Sequence, residues 1–152
     1  MGNCYSYVTN MKLNNELKKL DDNIELFDLK DREFTAKVVD VYDGDTCKVV
    51  FDLNGCLNKW NVRMEGYDSP EMRISKNDPD REEKKKKAIE AKKYFKNLVM
   101  NNNQLVYIKC GEFDKYGRLL GKIYLNKNDT ISVNELMIDH NYGYTYNGGS
   151  KK

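Results

Sequence analysis

The sequence has few of the residues that hold transition metals. Its 152 residues include one histidine, His140, and four cysteines, none of which forms a CxxC pair. Structural and catalytic zinc sites draw on clustered cysteine and histidine ligands. The composition therefore argues against a zinc domain.

Long apolar runs are also missing. No segment near the start is apolar enough for a secretory signal peptide, and no run is long enough for a transmembrane helix. We therefore expect an intracellular protein whose cysteines are reduced thiols.

The chain has almost no net charge, because 26 basic residues face 24 acidic ones and leave +2. Net charge alone therefore gives no indication of nucleic-acid binding, which only local clustering of charge could provide. The clearest cluster, KKKK at 84–87, is expected to be a solvated helix face. A hydrophobic content of 39% suits one compact domain.

The first residues, MGNCYS, match the pattern for N-terminal acylation. Gly2 would carry a myristoyl group after removal of the methionine, and Cys4 is placed for palmitoylation. A single myristoyl chain binds membranes only marginally, so a second chain would be needed for stable anchoring. The pattern is short, and the alternative is an unmodified polar arm. We expect the arm to span residues 1–32, with any membrane association on the cytoplasmic face.

Residues 33–146 are expected to form the folded domain, followed by a short polar tail at 147–152. The arm itself contains a weak amphipathic pattern at 14–29. In the domain, short alternating runs predict strands and helical periodicity predicts two helices. Asn54-Gly55 predicts a tight hairpin, and Asp80 with Glu83 resembles a capping box before the longer helix. The predicted order is three strands, a helix, two strands (104–113 and 118–125) and a final helix at Ser132, which is compatible with an OB-type barrel.

Acidic and basic residues gather in two turns and one loop. VYDGDT at 41–46 and DKYGR at 114–118 are each ordinary turn sequences. RMEGYDSPEM at 63–72 is less ordinary, since Pro70 keeps the chain extended and lets Asp68 and Glu71 project towards one region. Carboxylates with a carbonyl oxygen suit a hard divalent cation, and arginine is a bidentate partner for phosphate. Together these groups indicate a phosphodiesterase site.

The same segments resemble the staphylococcal nuclease family over roughly residues 34–143. DGDT at 43–46, R-x4-DSPE at 63–71, DKYGR at 114–118 and VNE at 133–135 occur in the family's order. The resemblance implies an α+β, mainly β fold: a five-stranded OB-fold barrel with helices. It also implies a Ca²⁺-dependent endonuclease that hydrolyses DNA and RNA with little sequence specificity. We expect a monomer.

The resemblance also assigns roles to individual residues. The Ca²⁺ ligands would be Asp45, Asp68 and the main-chain carbonyl of Ser69, where the family has threonine. Glu71 would orient or deprotonate the attacking water. The remaining implied roles are transition-state stabilisation by Arg63 and Arg118, and substrate-phosphate binding by Lys115 and Tyr116.

The sequence also departs from the bacterial enzyme. The connection before DKYGR is shorter, and we expect the last helix of that enzyme to be missing. The tyrosines that stack on the base have only candidate counterparts, Tyr142, Tyr144 and Tyr146. The alternative function is a catalytically weak domain that serves as a nucleic-acid-binding or membrane-tethered interaction module. The complete set of acids and arginines favours the enzyme.

Overall fold

A computed structural model describes residues 10–146 of the chain. The acylation candidates Gly2 and Cys4 and the tail at 147–152 lie outside these residues. Within the described part, no helix combines the length and apolarity needed to cross a bilayer.

The described residues form seven strands and three α-helices, with a short 3₁₀ turn at Asn101–Asn103. The strands are β1 (Glu33–Val41), β2 (Thr46–Leu53), β3 (Cys56–Met64), β4 (Tyr67–Asp68), β5 (Val106–Phe113), β6 (Leu119–Tyr124) and β7 (Tyr144–Thr145). The helices are α1 (Asn10–Leu17), α2 (Arg81–Val99) and α3 (Val133–Asp139).

Five strands close into a barrel in the order β1-β2-β3-β6-β5, and the pairing of β5 with β1 completes the ring. Only the β3–β6 pair of this barrel is parallel. The expected OB-type barrel with helices is therefore confirmed. The β2–β3 hairpin turns at Asn54 and Gly55, whose φ angles of 56° and 84° are those of a type I′ turn, as predicted.

Helix α2 buries one apolar face against the barrel. Its buried side chains, which recur at helical spacing, are Ala88, Ala91, Phe95 and Val99. The helix begins after Asp80 as predicted, but the capping box is wrong, because the Asp80 side chain makes no cap hydrogen bond. The Asp80 N–H instead bonds to Asp78, in a local turn that leaves Asp80 outside the extended conformation of a capping residue. A capping box formed by Ser132 and Glu135 is present at the start of α3.

The N-terminal arm differs from the expected helix at 14–29. The helix runs from Asn10 to Leu17, and a local bond from the Asn23 N–H to the Asp21 carboxylate then favours a turn. The arm meets the barrel at Leu29, which is fully buried in the core. Backbone bonds between Asp31 and Cys110 and between Cys110 and Arg32 extend this contact along β5.

The cysteines differ in accessibility. Cys47 and Cys110 are buried free thiols, as expected. Cys56 is half-buried beside the hairpin turn.

Candidate active site

One cleft of about 360 Å³ gathers the residues that the sequence marked as a site. Every predicted metal, catalytic and substrate-binding residue lines it. These are Asp45, Arg63, Asp68, Ser69, Glu71, Lys115, Tyr116 and Arg118, and the remaining lining residues are Asp43, Thr46, Pro70 and Tyr146. The structure brings the positions together, while their roles remain predictions.

The β2–β3 pairing places the first acid beside the first arginine. Thr46, the first residue of β2, pairs with Arg63 on β3, so Asp45 stands directly before the paired position. The carbonyl of Asp45 accepts a hydrogen bond from the Met64 N–H at 2.8 Å. The DGDT turn is thus fixed to the end of β3 by backbone contacts.

Arg63 joins the two carboxylates at the floor of the cleft. Its Nη1 lies 2.9 Å from Oδ1 of Asp45, and its Nη2 contacts Oδ1 of Asp68. The side chains of Arg63 and Asp68 are only 12% and 1% exposed. An ion pair this sheltered is weakly screened by water. The guanidinium therefore offsets the repulsion between two buried carboxylates that lie close together.

The DGDT turn approaches the DSPE loop closely. The Ser69 N–H donates to Oδ2 of Asp45 at 2.7 Å. A Cβ added at Gly44 would lie 2.6 Å from the Cβ of Ser69, so this approach requires glycine. The fully buried Tyr67 donates its hydroxyl to the carbonyl of Gly44 at 2.7 Å. Glycine and tyrosine thus set the distance between the two acidic segments.

Negative charge is concentrated at the DGDT turn. Burial, followed by the neighbouring carboxylate of Asp45, raises the pKa of Asp43 to about 6. The Asp43 side chain also accepts a hydrogen bond from the Asp45 N–H. A cation bound nearby would reduce this repulsion.

The donor set at the floor of the cleft suits a hard cation. Asp45, Asp68 and Ser69 are 7%, 1% and 3% exposed. Among residues 10–146, no group of three histidine, cysteine or acidic side chains is arranged to hold a metal. Two carboxylates and a carbonyl, completed by water, are an all-oxygen set of the kind Ca²⁺ takes. The residues fit, provided that Arg63 shares or releases the carboxylate oxygens it now contacts.

The second arginine comes from the turn between β5 and β6. Asp114 accepts hydrogen bonds from the N–H groups of Tyr116 and Arg118, both at 2.9 Å, and its other oxygen lies 2.7 Å from Nε of Arg118. Burial alone would raise the pKa of Asp114, but the bonds from Arg118 and Tyr116 outweigh it and lower that pKa. Asp114 therefore shapes the turn, a role that its place in DKYGR did not reveal.

Lys115, Tyr116 and Arg118 form the open wall of the cleft. Tyr116 is 72% exposed. The Lys115 ammonium and the Arg118 guanidinium lie 5.1 and 5.6 Å from its ring centroid. Glu71 lies on the rim with an exposed side chain. A substrate phosphate could therefore meet a carboxylate and basic groups without entering the barrel core.

The structure separates the three candidate base-stacking tyrosines. Tyr142 stacks on Tyr94 with ring centroids 4.5 Å apart and does not line the cleft. Tyr144 pairs with Asp68 through the short β4–β7 sheet. Tyr146 follows directly and lines the cleft. Of the three, only Tyr146 thus lines the cleft.

A buried asparagine ties the final helix to the site. Asn134, 4% exposed, accepts from the Ile123 N–H at 3.1 Å and donates to the carbonyls of Glu65 and Gly121. These bonds connect α3 with β6 and with the loop that follows Arg63. The VNE motif carried this residue, but sequence reasoning gave it no role.

Fold and cleft together define an OB-fold barrel with an acid-and-arginine site at the start of β2. The family model described as staphylococcal nuclease homologue matches residues 61–151, more than half of the chain. The chain belongs to this family. No curated protein matches it. The matched region contains Arg63, Asp68 and Arg118, whereas Asp45 precedes it and joins the site through the β2–β3 register.

Proposed function

We propose that this protein is a Ca²⁺-dependent nuclease that hydrolyses phosphodiester bonds of DNA and RNA with little sequence specificity. One observation carries the proposal: two buried acids bridged by Arg63 share a cleft with Glu71 and Arg118. An acidic floor beside basic groups at the mouth suits a cation and a phosphate bound side by side. Membership of the nuclease family supports the same chemistry.

Each residue would have a catalytic or metal-binding role that follows from its position in the cleft. Asp45, Asp68 and the Ser69 carbonyl would hold the Ca²⁺, which supplies positive charge for a phosphate oxygen when it is bound. Glu71, on the rim, would orient the attacking water or accept its proton. Arg63 and Arg118 would donate to phosphate oxygens and stabilise the charge that develops in the transition state.

The shape of the cleft supports tolerance of base sequence. Its charged walls address a phosphate, and phosphate contacts carry no sequence information. Tyr116 and Tyr146 offer aromatic surface beside the phosphate position. Stacking on an aromatic ring accepts any base, so single strands of DNA and RNA should both be substrates.

The test uses the purified full chain with plasmid DNA, single-stranded DNA and RNA, in Ca²⁺ or in excess chelator. We expect cleavage only with Ca²⁺. Glu71→Gln should lower kcat by about 10²-fold or more, because general acid–base groups contribute at that scale. Glu33→Gln, an exposed acid on β1 outside the cleft, is the matched control and should retain activity. Substrate binding without cleavage would overturn the proposal and leave a binding module.

We further propose that Gly2 and Cys4 are acylated and hold the protein on the cytoplasmic face of a membrane. The MGNCYS pattern supports this, since two acyl chains anchor a protein where one does not. In eukaryotic cells the wild type should sediment with membranes, Gly2→Ala should be soluble, and Cys4→Ser should bind only transiently. An unmodified N-terminal mass in a soluble wild-type protein would exclude the anchor.

A further inference from the structure

Helix α2 carries an outward face of lysines around one exposed isoleucine. Ile89 is 48% exposed, and Lys85, Lys86, Lys92 and Lys93 are its neighbours at three and four positions along the helix. Lys96 follows one turn further on the same side. Glu82 and Glu90 are the acidic residues beside these lysines. We call Lys85, Lys86, Ile89, Lys93 and Lys96 the lysine face.

Ion pairs divide the lysines of α2 into two groups. Lys84 lies 2.7 Å from a carboxylate oxygen of Asp78, and Lys87 lies 2.7 Å from one of Glu83. No lysine of the lysine face has such a pair among residues 10–146. Its positive charge is therefore not balanced by a contacting acid, unlike that of the rest of the KKKK run.

The lysine face points away from the cleft. The opposite side of α2 packs inward through Ala91, whose Cβ would lie 3.1 Å from a Cβ built on Gly44 of the DGDT turn. A polynucleotide seated in the cleft would have to pass around the helix to reach these lysines. The face also presents an aliphatic side chain rather than a ring on which a base could stack.

We propose that the lysine face docks on an anionic phospholipid surface. Lysines near such a surface are attracted to acidic headgroups, while their methylene stems and Ile89 can rest at the boundary between headgroups and acyl chains. Binding through this face leaves the cleft, on the other side of α2, open to substrate. The proposal depends neither on nuclease activity nor on acylation.

The test uses the full chain made in bacteria, where Gly2 is not myristoylated, and vesicles of phosphatidylcholine with or without phosphatidylserine. Co-sedimentation should require phosphatidylserine and weaken as salt is raised. Replacing Lys85, Lys86, Lys93 and Lys96 with glutamine should lower the partition coefficient by about 10-fold or more. Lys84→Gln with Lys87→Gln, the paired lysines on the same helix, is the matched control and should bind like the wild type.

Three further measurements separate the alternatives. Ile89→Ser should also weaken vesicle binding, and both lysine variants should cleave DNA like the wild type. A wild-type protein that does not bind the acidic vesicles, or equal losses in the two lysine variants, would overturn the proposal. A lysine-face variant that loses oligonucleotide binding but keeps vesicle binding would assign the face to nucleic acid instead. Absence of cleavage would refute the nuclease and leave the vesicle result standing.

Discussion

Replacing Arg63 or Arg118 with alanine should separate two arginines that have the same proposed catalytic role. Both variants should lose turnover, because each guanidinium is expected to meet developing charge on the phosphate. Their effects on folding should differ, since Arg63 bridges two buried carboxylates whereas Arg118 pairs with Asp114 at a more open turn. The exposed fractions are 12% for the Arg63 side chain and 33% for that of Arg118.

The expected loss of stability depends on which charges stay buried after each substitution. Removing one partner of a buried ion pair typically costs about 3–5 kcal/mol, because the other charge stays buried without compensation. Asp45 keeps its hydrogen bonds from Ser69 and Thr46. We therefore expect Arg63→Ala to lower the free energy of unfolding by about 3 kcal/mol, the lower end of that range. Arg118→Ala should cost about 1 kcal/mol or less, as for a partly exposed pair.

Urea denaturation in chelator, monitored by far-ultraviolet circular dichroism, measures the free energies of unfolding of the two variants without adding salt. Ca²⁺ should then stabilise Arg63→Ala more than the wild type, since the carboxylates are no longer occupied by a guanidinium. Ligand at a hundred times its Kd adds about 2.7 kcal/mol. Arg63→Lys, which keeps the charge but not the two-pronged geometry, should fall between wild type and alanine. Equal, small losses in Arg63→Ala and Arg118→Ala would refute the reasoning.

Three other substitutions test contacts that support the site. Asn134→Ala should lower the free energy of unfolding by about 2–4 kcal/mol, since three backbone groups each lose a hydrogen bond to its side chain. Exposed Asn126→Ala should change it by less than about 0.5 kcal/mol. Leu29→Ala should lower the free energy of unfolding by about 2–5 kcal/mol in thermal denaturation, because Leu29 is buried in the core. Leu26→Ala, at a side chain that is 94% exposed, should not lower it. Gly44→Ala should raise the Ca²⁺ concentration needed for half-maximal cleavage, with activity recovering in excess Ca²⁺. An unchanged Ca²⁺ requirement would contradict the close approach of Gly44 to Ser69.

The barrel could be predicted because its signals are local. Strands β2 and β3 alternate in burial and are joined by Asn54-Gly55, whose turn geometry fixes their register. That register then brings Asp45 beside Arg63, so part of the site follows from one hairpin. The two-residue strands β4 and β7 have no periodicity to detect, and their pairing depends on packing between distant segments.

The supporting contacts were missed for the same reason. Tyr67 and Asn134 are polar groups whose partners lie on other elements, and sequence spacing does not show which backbone groups they will meet. The choice of Tyr146 over Tyr142 depends on the β4–β7 pairing and on Tyr94, which stacks on Tyr142. The capping prediction at Asp80 failed because a nearby acid, Asp78, competed for its N–H.

Both arginines of the cleft are held by acids before any substrate arrives, and this arrangement predicts an order of binding. Arg63 can turn towards a phosphate only when Asp45 and Asp68 no longer need its charge. A cation shared by these carboxylates would meet that condition, so Ca²⁺ should raise the affinity for an oligonucleotide by about 5-fold or more, and the oligonucleotide should raise Ca²⁺ affinity equally. Titration calorimetry with Glu71→Gln, which should bind without cleaving, measures both couplings. In Arg63→Ala with Glu71→Gln, the part of the coupling that depends on release of this guanidinium should vanish; a coupling of unchanged size would show that Ca²⁺ acts on the phosphate directly and that Arg63 is already free to bind it.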